Sequence, residues 1–348
     1  MHRRSSAMRA TLFGLITAGS LALVACTPPA KTSATVTTGT GGTLTACSVS
    51  AADLTPASAG HGAAPHVGGL TGQKITADGS SALQPFIKQA AAEFDTANGT
   101  QSTINAGGSG QGLKDVQAGA VQIGMSDVFA SEKAPTPGAY DDLVDHQVAA
   151  VVFTLIVNND LKGHVSNLTT DQIKQIYTGQ VSNWSQLGGP NEAITVVNRP
   201  TTSGTRATFK KYVLGGATEN GGTTLTQDNT GAVAAAVQQT PGAIGYVSIG
   251  FAATGQYSSA VTPICIDGAK AVASDVNSGK YKFWGIEHAY TKGAATGAAK
   301  ALLQYVESSQ AQDSDLLALS YLKLSTVSSD AIQAHTPSGA PAPENLAG

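Results

Sequence analysis

Strands that alternate with helices, joined by Ser/Gly turns, put this chain in the α/β class with mainly parallel sheets. Three observations carry that expectation. Residues 149–157 form a continuous apolar run, as expected of a strand buried on both faces. Amphipathic helical spacing recurs, first at Leu83, Phe86, Ile87, Ala90 and Phe94. Three turns rich in serine and glycine, at 78–82, 107–112 and 199–206, each lie between a strand-like and a helix-like segment. Ligands of such sheets bind beyond the carboxyl ends of strands, where these turns fall.

The chain has 348 residues, enough for two domains, with 12% charged residues and 40 glycines. Arg3, Arg4 and Arg9 precede an apolar segment from Ala10 to Ala25, the pattern of a secretion signal too short for a membrane span. The segment ends Leu23-Val24-Ala25-Cys26, which is similar to a bacterial lipobox. That likeness implies cleavage of residues 1–25, a lipid on Cys26 and a protein anchored on the extracytoplasmic face of the cell membrane. Without residues 1–25, which hold three arginines and no acid, the net charge moves from −3 to −6. Cys47 and Cys265 are then left as a candidate disulfide in an oxidising compartment, with two separate thiols as the alternative.

Residues 26–72 are rich in Thr, Ala, Gly, Ser and Pro and read as a flexible linker. The body begins near Gln73. Expected in order are a strand at 74–77, a helix at 83–97, a strand at 101–105, a short helix at 113–118 and a strand at 121–125. The strand at 149–157 follows, then a helix at 169–177 capped by Thr169 or Thr170. A strand at 193–197, helices at 207–214 and 230–239, and a strand at 243–247 complete the pattern. Residues 336–348 read as a disordered tail.

The most telling stretch is Asn198-Arg199-Pro200-Thr201-Thr202-Ser203-Gly204-Thr205-Arg206. A strand that feeds a helix through such a turn aims backbone N–H groups and hydroxyls at one spot, and the helix dipole makes it favour an anion. Arginine matches a tetrahedral oxyanion through two parallel hydrogen bonds. Asp78-Gly79-Ser80-Ser81-Ala82 and Gly107-Gly108-Ser109-Gly110-Gln111-Gly112 repeat the arrangement. Any one of these serines alone reads as a helix cap; three such turns together read as a binding site. The second turn fits neither a dinucleotide fingerprint nor a P-loop, so no nucleotide cofactor is expected.

Met125-Ser126-Asp127 closes a strand. A carboxylate among anion-binding donors makes sense when the ligand still carries a proton for it to accept, as phosphate does and sulfate does not. The bland alternative is that Asp127 caps the next turn or pairs with a lysine.

These segments, with Asn183-Trp184 and Gly245-Tyr246-Val247-Ser248, resemble the phosphate-binding proteins of high-affinity phosphate ABC transporters over roughly residues 73–330. The resemblance implies a type II periplasmic-binding-protein fold: two lobes, a ligand cleft and two crossover strands. Lobe one would comprise 73–152 and 258–335, and lobe two 153–257, with hinges near 152–156 and 247–261. It implies that Ser80, Ser81, Ala82, Ser109 and Gly110 donate from lobe one, that Asp127 accepts the ligand proton, and that Arg199, Ser203, Gly204 and Thr205 donate from lobe two. Ser126 and Arg206 would stand behind them, Arg206 facing the ligand, Asp127 or another acid. The partners it implies are inorganic phosphate and a permease–ATPase complex.

An enzyme is the first rival. No G-x-S-x-G elbow is present, and the seven histidines fall in no pattern of metal ligands, so neither catalysis nor a metal is expected. A binder of another oxyanion and a surface sensor or adhesin are the other rivals. No basic run points to nucleic acid, and a monomer is expected.

Overall fold

Ile75 and Ala77 are buried while Lys74 between strand and loop is exposed, the alternation of a strand with one face on a core. The computed structural model describes residues 44–58, 60–220, 223–253 and 259–346. The signal-like segment 1–25 and Cys26 lie outside the described residues.

The first half of the chain runs β1 (Lys74–Gly79), α1 (Gln84–Asn98), β2 (Gln101–Ile104), α2 (Ser109–Gln117), β3 (Ile123–Ser126), β4 (Leu143–Asn158), β5 (Asn167–Leu168) and α3 (Thr170–Tyr177). Then come β6 (Thr195–Asn198), α4 (Gly204–Tyr212), β7 (Thr223–Thr226), α5 (Thr230–Gln239), β8 (Ala243–Ser248), α6 (Ile249–Ala253), β9 (Val261–Ile266) and α7 (Ala273–Asn277). The chain closes with β10 (Trp284–Lys292), α8 (Gly297–Glu307), α9 (Ser309–Gln312), α10 (Asp315–Ala318) and α11 (Ser329–His335). Most elements match the expected ones. Strands β5, β7, β9 and β10 and the helices from α6 onward come in addition.

The strand order is β2-β1-β3-β10-β4-β8-β6-β7, with β9 bonded to β4 and β5. The outer pairs β1–β2, β1–β3, β6–β7 and β6–β8 are parallel. The centre is antiparallel, where β10 joins β3 and β4, and β4 joins β8 and β9. The sheet is therefore mixed rather than mainly parallel.

β4 is the spine. Leu143 to Val152 pair with β10, and Phe153 to Val157 pair with β8. The change of partner falls at Val152/Phe153, inside the first expected hinge. The return differs from the expected one near residue 258. β9 still bonds β4 at Leu155–Asn158, and the chain rejoins the first set of strands only at Trp284, opposite Val152. Ile264 and Cys265, successive residues on opposite faces of β9, are both fully buried, as fits a strand enclosed on both sides.

The linker reading also changes. Leu44 is buried, and its carbonyl accepts from Ser166 N at 2.8 Å and Asn167 N at 2.9 Å. Cys47 is bonded to Cys265, with their Cα atoms 6.1 Å apart. Lys270 Nζ meets Asp53 Oδ2 at 2.9 Å, and Val67 N donates to Asn98 Oδ1 at 2.6 Å. Composition registers none of these long-range ties. In the tail, Glu344 N donates to Asp145 O at 2.8 Å and Leu346 N to Glu307 Oε2 at 2.5 Å, so residues 336–346 lie against the body. Reducing the disulfide, or replacing both cysteines by serine, is expected to lower the unfolding free energy by about 2–4 kcal/mol. A urea midpoint unmoved by reduction would refute this.

His335 stacks between Trp284 (3.9 Å between centroids) and Tyr212 (4.1 Å). Burial pushes its imidazole down from 6.5 to about 4, against hydrogen bonds to Lys282 O and Ala331 O. The unfolded chain takes up this proton near pH 6.5 and the folded one only near 4. Stability from this site is complete above pH 6.5 and is lost as the pH falls toward 4, by up to about 3 kcal/mol. Urea titrations across that window should show this slope, and His335→Phe should flatten it.

Candidate functional site

The first turn follows β1. Gly79 holds φ at +137°, and a Cβ there would stand 2.0 Å from the carbonyl oxygen of Met125, so only glycine lets β1 lie this close to β3. Ser80 Oγ accepts from the amides of Ala82 (3.0 Å) and Leu83 (2.9 Å), the cap of the turn into α1. Ser81 Oγ points the other way, to Thr230 Oγ1 at 2.9 Å and Arg199 Nη2 at 3.2 Å. Both serines are buried.

The second turn follows β2. Ser109 is fully buried, and its Oγ accepts from Asp127 N at 3.0 Å. Gly110 N donates to Thr202 O at 2.9 Å, so this turn touches the Arg199–Arg206 segment directly. In this arrangement the amides of Ala82 and Gly110 are engaged with protein oxygens, unlike the ligand-facing role the resemblance implies for them.

The third turn follows β6. Ser203 caps α4 by accepting from Arg206 N at 3.2 Å. The amides of Gly204 and Thr205 open the helix, where the backbone offers no intrahelical acceptor. A Cβ on Gly204 would stand 2.2 Å from Ser109 Oγ and 2.9 Å from Asp127 Cβ. The second and third turns therefore meet face to face. Thr205 Oγ1 donates to Asp127 Oδ2 at 2.7 Å, and Asp127 is only 3% exposed.

Arg199 is the centre of charge. It is 1% exposed, and its guanidinium reaches only neutral acceptors: Ser81 Oγ, Thr230 Oγ1 at 3.4 Å and Asp228 O at 2.9 Å. Its Nε has no partner, and among the described residues no carboxylate forms an ion pair with it. Burial lowers its pKa, opposed by the charge of Asp127 nearby. A desolvated cation without a counter-charge is costly, and an anion in the cleft relieves that cost.

The residues expected behind the site take definite roles. Ser126 Oγ donates to Val128 O at 2.6 Å and shapes the turn beyond Asp127. Arg206 faces another acid: its Nε lies 3.3 Å from Glu219 Oε2, while Nη1 donates to Arg199 O. Tyr246 donates to Glu219 Oε1 at 3.0 Å. Burial raises Glu219, and Arg206 counters it.

Sequence reasoning missed Thr230, Lys133 and Glu287. Thr230 is fully buried at the start of α5, on a fourth strand–turn–helix junction of the same kind as the other three. Lys133 Nζ bonds the carbonyls of Thr201 (2.8 Å) and Ser203 (3.2 Å), and burial lowers its pKa. Apart from this site, His61, Glu93 and Asp315 bring ligand atoms within 4.8 Å of one another and could hold a metal. They are already tied by Tyr305 Oη to Glu93 (2.5 Å) and Gly62 N to Asp315 (2.9 Å).

A family model of the PBP superfamily domain matches residues 55–310. The phosphate-binding protein PstS of Bacillus subtilis (strain 168) is 45% identical over 241 residues, covering 69% of this chain and 77% of that protein. The chain belongs to this family of phosphate-binding proteins. A phosphate ABC transporter substrate-binding protein with bound phosphate from Clostridium perfringens is 28% identical, with a TM-score of 0.63 over 72% of this chain and all of that one. An ABC-type phosphate transport receptor from Vibrio cholerae, 23% identical with a TM-score of 0.56, covers 72% and 99% and speaks for the fold alone. The family fold is the type II periplasmic-binding-protein fold, with two lobes.

Proposed function

We propose that this protein captures inorganic phosphate between its four turns and delivers it to the permease–ATPase complex of an ABC importer. Arg199 carries the reading: a buried guanidinium with no ionic partner of its own is a standing demand for an anion. Ser81, Ser109, Ser203, Thr205 and Thr230, with the amides at the start of α4, supply the further donors. Ser80, Ala82 and Gly204 shape the turns, and the Gly110 amide, now on Thr202 O, joins the donor set when the lobes part. Asp127 accepts the ligand's proton and so separates phosphate from sulfate. The similar phosphate-binding protein of B. subtilis and the C. perfringens protein with bound phosphate support the same ligand.

The lobes of this reading are divided at Val152/Phe153 in β4 and near Tyr281–Trp284 on the return. Lobe motion about those two crossings would open and close the cleft. The chain acts as a binding protein, without cofactor or metal, as a monomer held to the extracytoplasmic face of the cell membrane by lipid on Cys26. Calorimetry on the chain from residue 27 onward, stripped of ligand by partial unfolding, tests this. Tight phosphate binding that excess sulfate does not displace is expected. Equal binding of both anions would remove the role given to Asp127, and binding of neither would refute the function.

A further inference from the structure

Glu287, in β10, is fully buried, and neither of its carboxyl oxygens meets a donor. Asp127 Oδ1 likewise lacks one. The register sets the two side by side: His288 pairs with Ser126 across β10 and β3, so Glu287 comes opposite Asp127 where β3 ends. Ionised carboxylates only accept hydrogen bonds, whereas a protonated one can donate. One proton between the two groups gives Asp127 Oδ1 a donor and engages one of the Glu287 oxygens.

We propose that Glu287 is a specificity-determining residue of the anion site, holding a proton against Asp127 so that the two carboxyls together carry one negative charge. Burial pushes the Glu287 carboxyl well above the usual range, and Asp127 adds to this by charge and by hydrogen bonding. The other groups around the couple are Arg199 and Lys133, whose charges act on Asp127, and Tyr321, which feels both carboxyls and is itself pushed far up by burial. Tyr321 donates to Ala82 O in the first turn.

The consequence rests on the phosphate reading. With the shared proton in place, the cleft presents one negative charge to a ligand that brings its own proton. Once that proton leaves, a second charge repels the phosphate dianion. Glu287→Gln keeps the shape and a donor but has no proton to lose.

The test is phosphate calorimetry from about pH 6 to about pH 10 on the wild type and E287Q. Both should bind near neutrality. The wild type should then lose affinity about tenfold per pH unit once the shared proton is lost, while E287Q should not. Lys133 and Arg199 titrate alike in both proteins, so superimposable profiles with phosphate bound would overturn the proposal. If neither protein binds phosphate at any pH, the phosphate reading fails, and infrared spectroscopy judges Glu287 separately. The phosphate-free wild type, labelled with 13C-glutamate, should show a protonated-carboxyl stretch at neutral pH that E287Q lacks. An unchanged spectrum overturns the proposal. Should E287Q not fold, Glu287→Asp in the same labelled protein must lose that stretch.

Discussion

Arg199→Met should weaken phosphate binding by about 2–5 kcal/mol, roughly thirty- to several-thousand-fold in Kd, while leaving the phosphate-free protein as stable as before or more so. The opposite signs follow from where the charge sits. On the proposed reading the guanidinium meets the bound phosphate with water excluded, and losing it leaves the anion's charge unanswered. Without phosphate the same guanidinium is 1% exposed and bonded only to hydroxyls and a carbonyl. An apolar side chain of similar length removes a buried, unpaired charge. Calorimetry reads the first effect and urea unfolding without phosphate the second. Arg199→Lys should fall between, since an ammonium keeps the charge but not the two parallel donors. Unchanged phosphate affinity in the methionine variant would end the anion-site reading.

Asp127→Asn should cost phosphate about 1.5–3 kcal/mol, the worth of a hydrogen bond to a charged group, and should tighten sulfate. The phosphate-to-sulfate ratio should therefore fall by about two orders of magnitude. Asparagine nearly matches the shape, and its amide oxygen can still accept from Thr205 Oγ1, which now meets Asp127 Oδ2 at 2.7 Å. What changes is the charge and the second oxygen, from acceptor to donor. A selectivity ratio that stays put would mean that Asp127 serves only to fix the turn between β3 and the loop beyond it.

The site was legible in the sequence where its chemistry is local. Ser80, Ser109 and Ser203 sit beside glycines at strand-to-helix junctions, and such a junction announces itself within a few residues. Arg199 and Asp127 stood out because a charge at such a junction is unusual. Glu287 gave no such signal. The segment Trp284–Lys292 mixes glutamate, histidine and lysine with aromatics, which reads as a solvated stretch. Yet eight of its nine residues are buried. The polar groups find partners in distant strands, as His288 does in Asp145 at 2.8 Å and Thr291 in His146 at 3.2 Å. Pairing of that kind is invisible to periodicity. The same holds for residues 44–72, whose small polar side chains resemble a tether while Cys47 and Leu44 hold them to β9 and the loop before β5.

That sulfur bridge also decides how the protein bears load. A pull on the chain upstream of Cys47 enters the body at Cys265, in mid-strand, and bypasses residues 48–72. β9 is flanked there by β4 and β5, so the ladder bonds of both neighbours share the force. Once the bridge is reduced, the same pull meets only the weaker ties at Asp53 and Val67 before it reaches Lys74 and β1, next to the turn at Ser80 and Ser81.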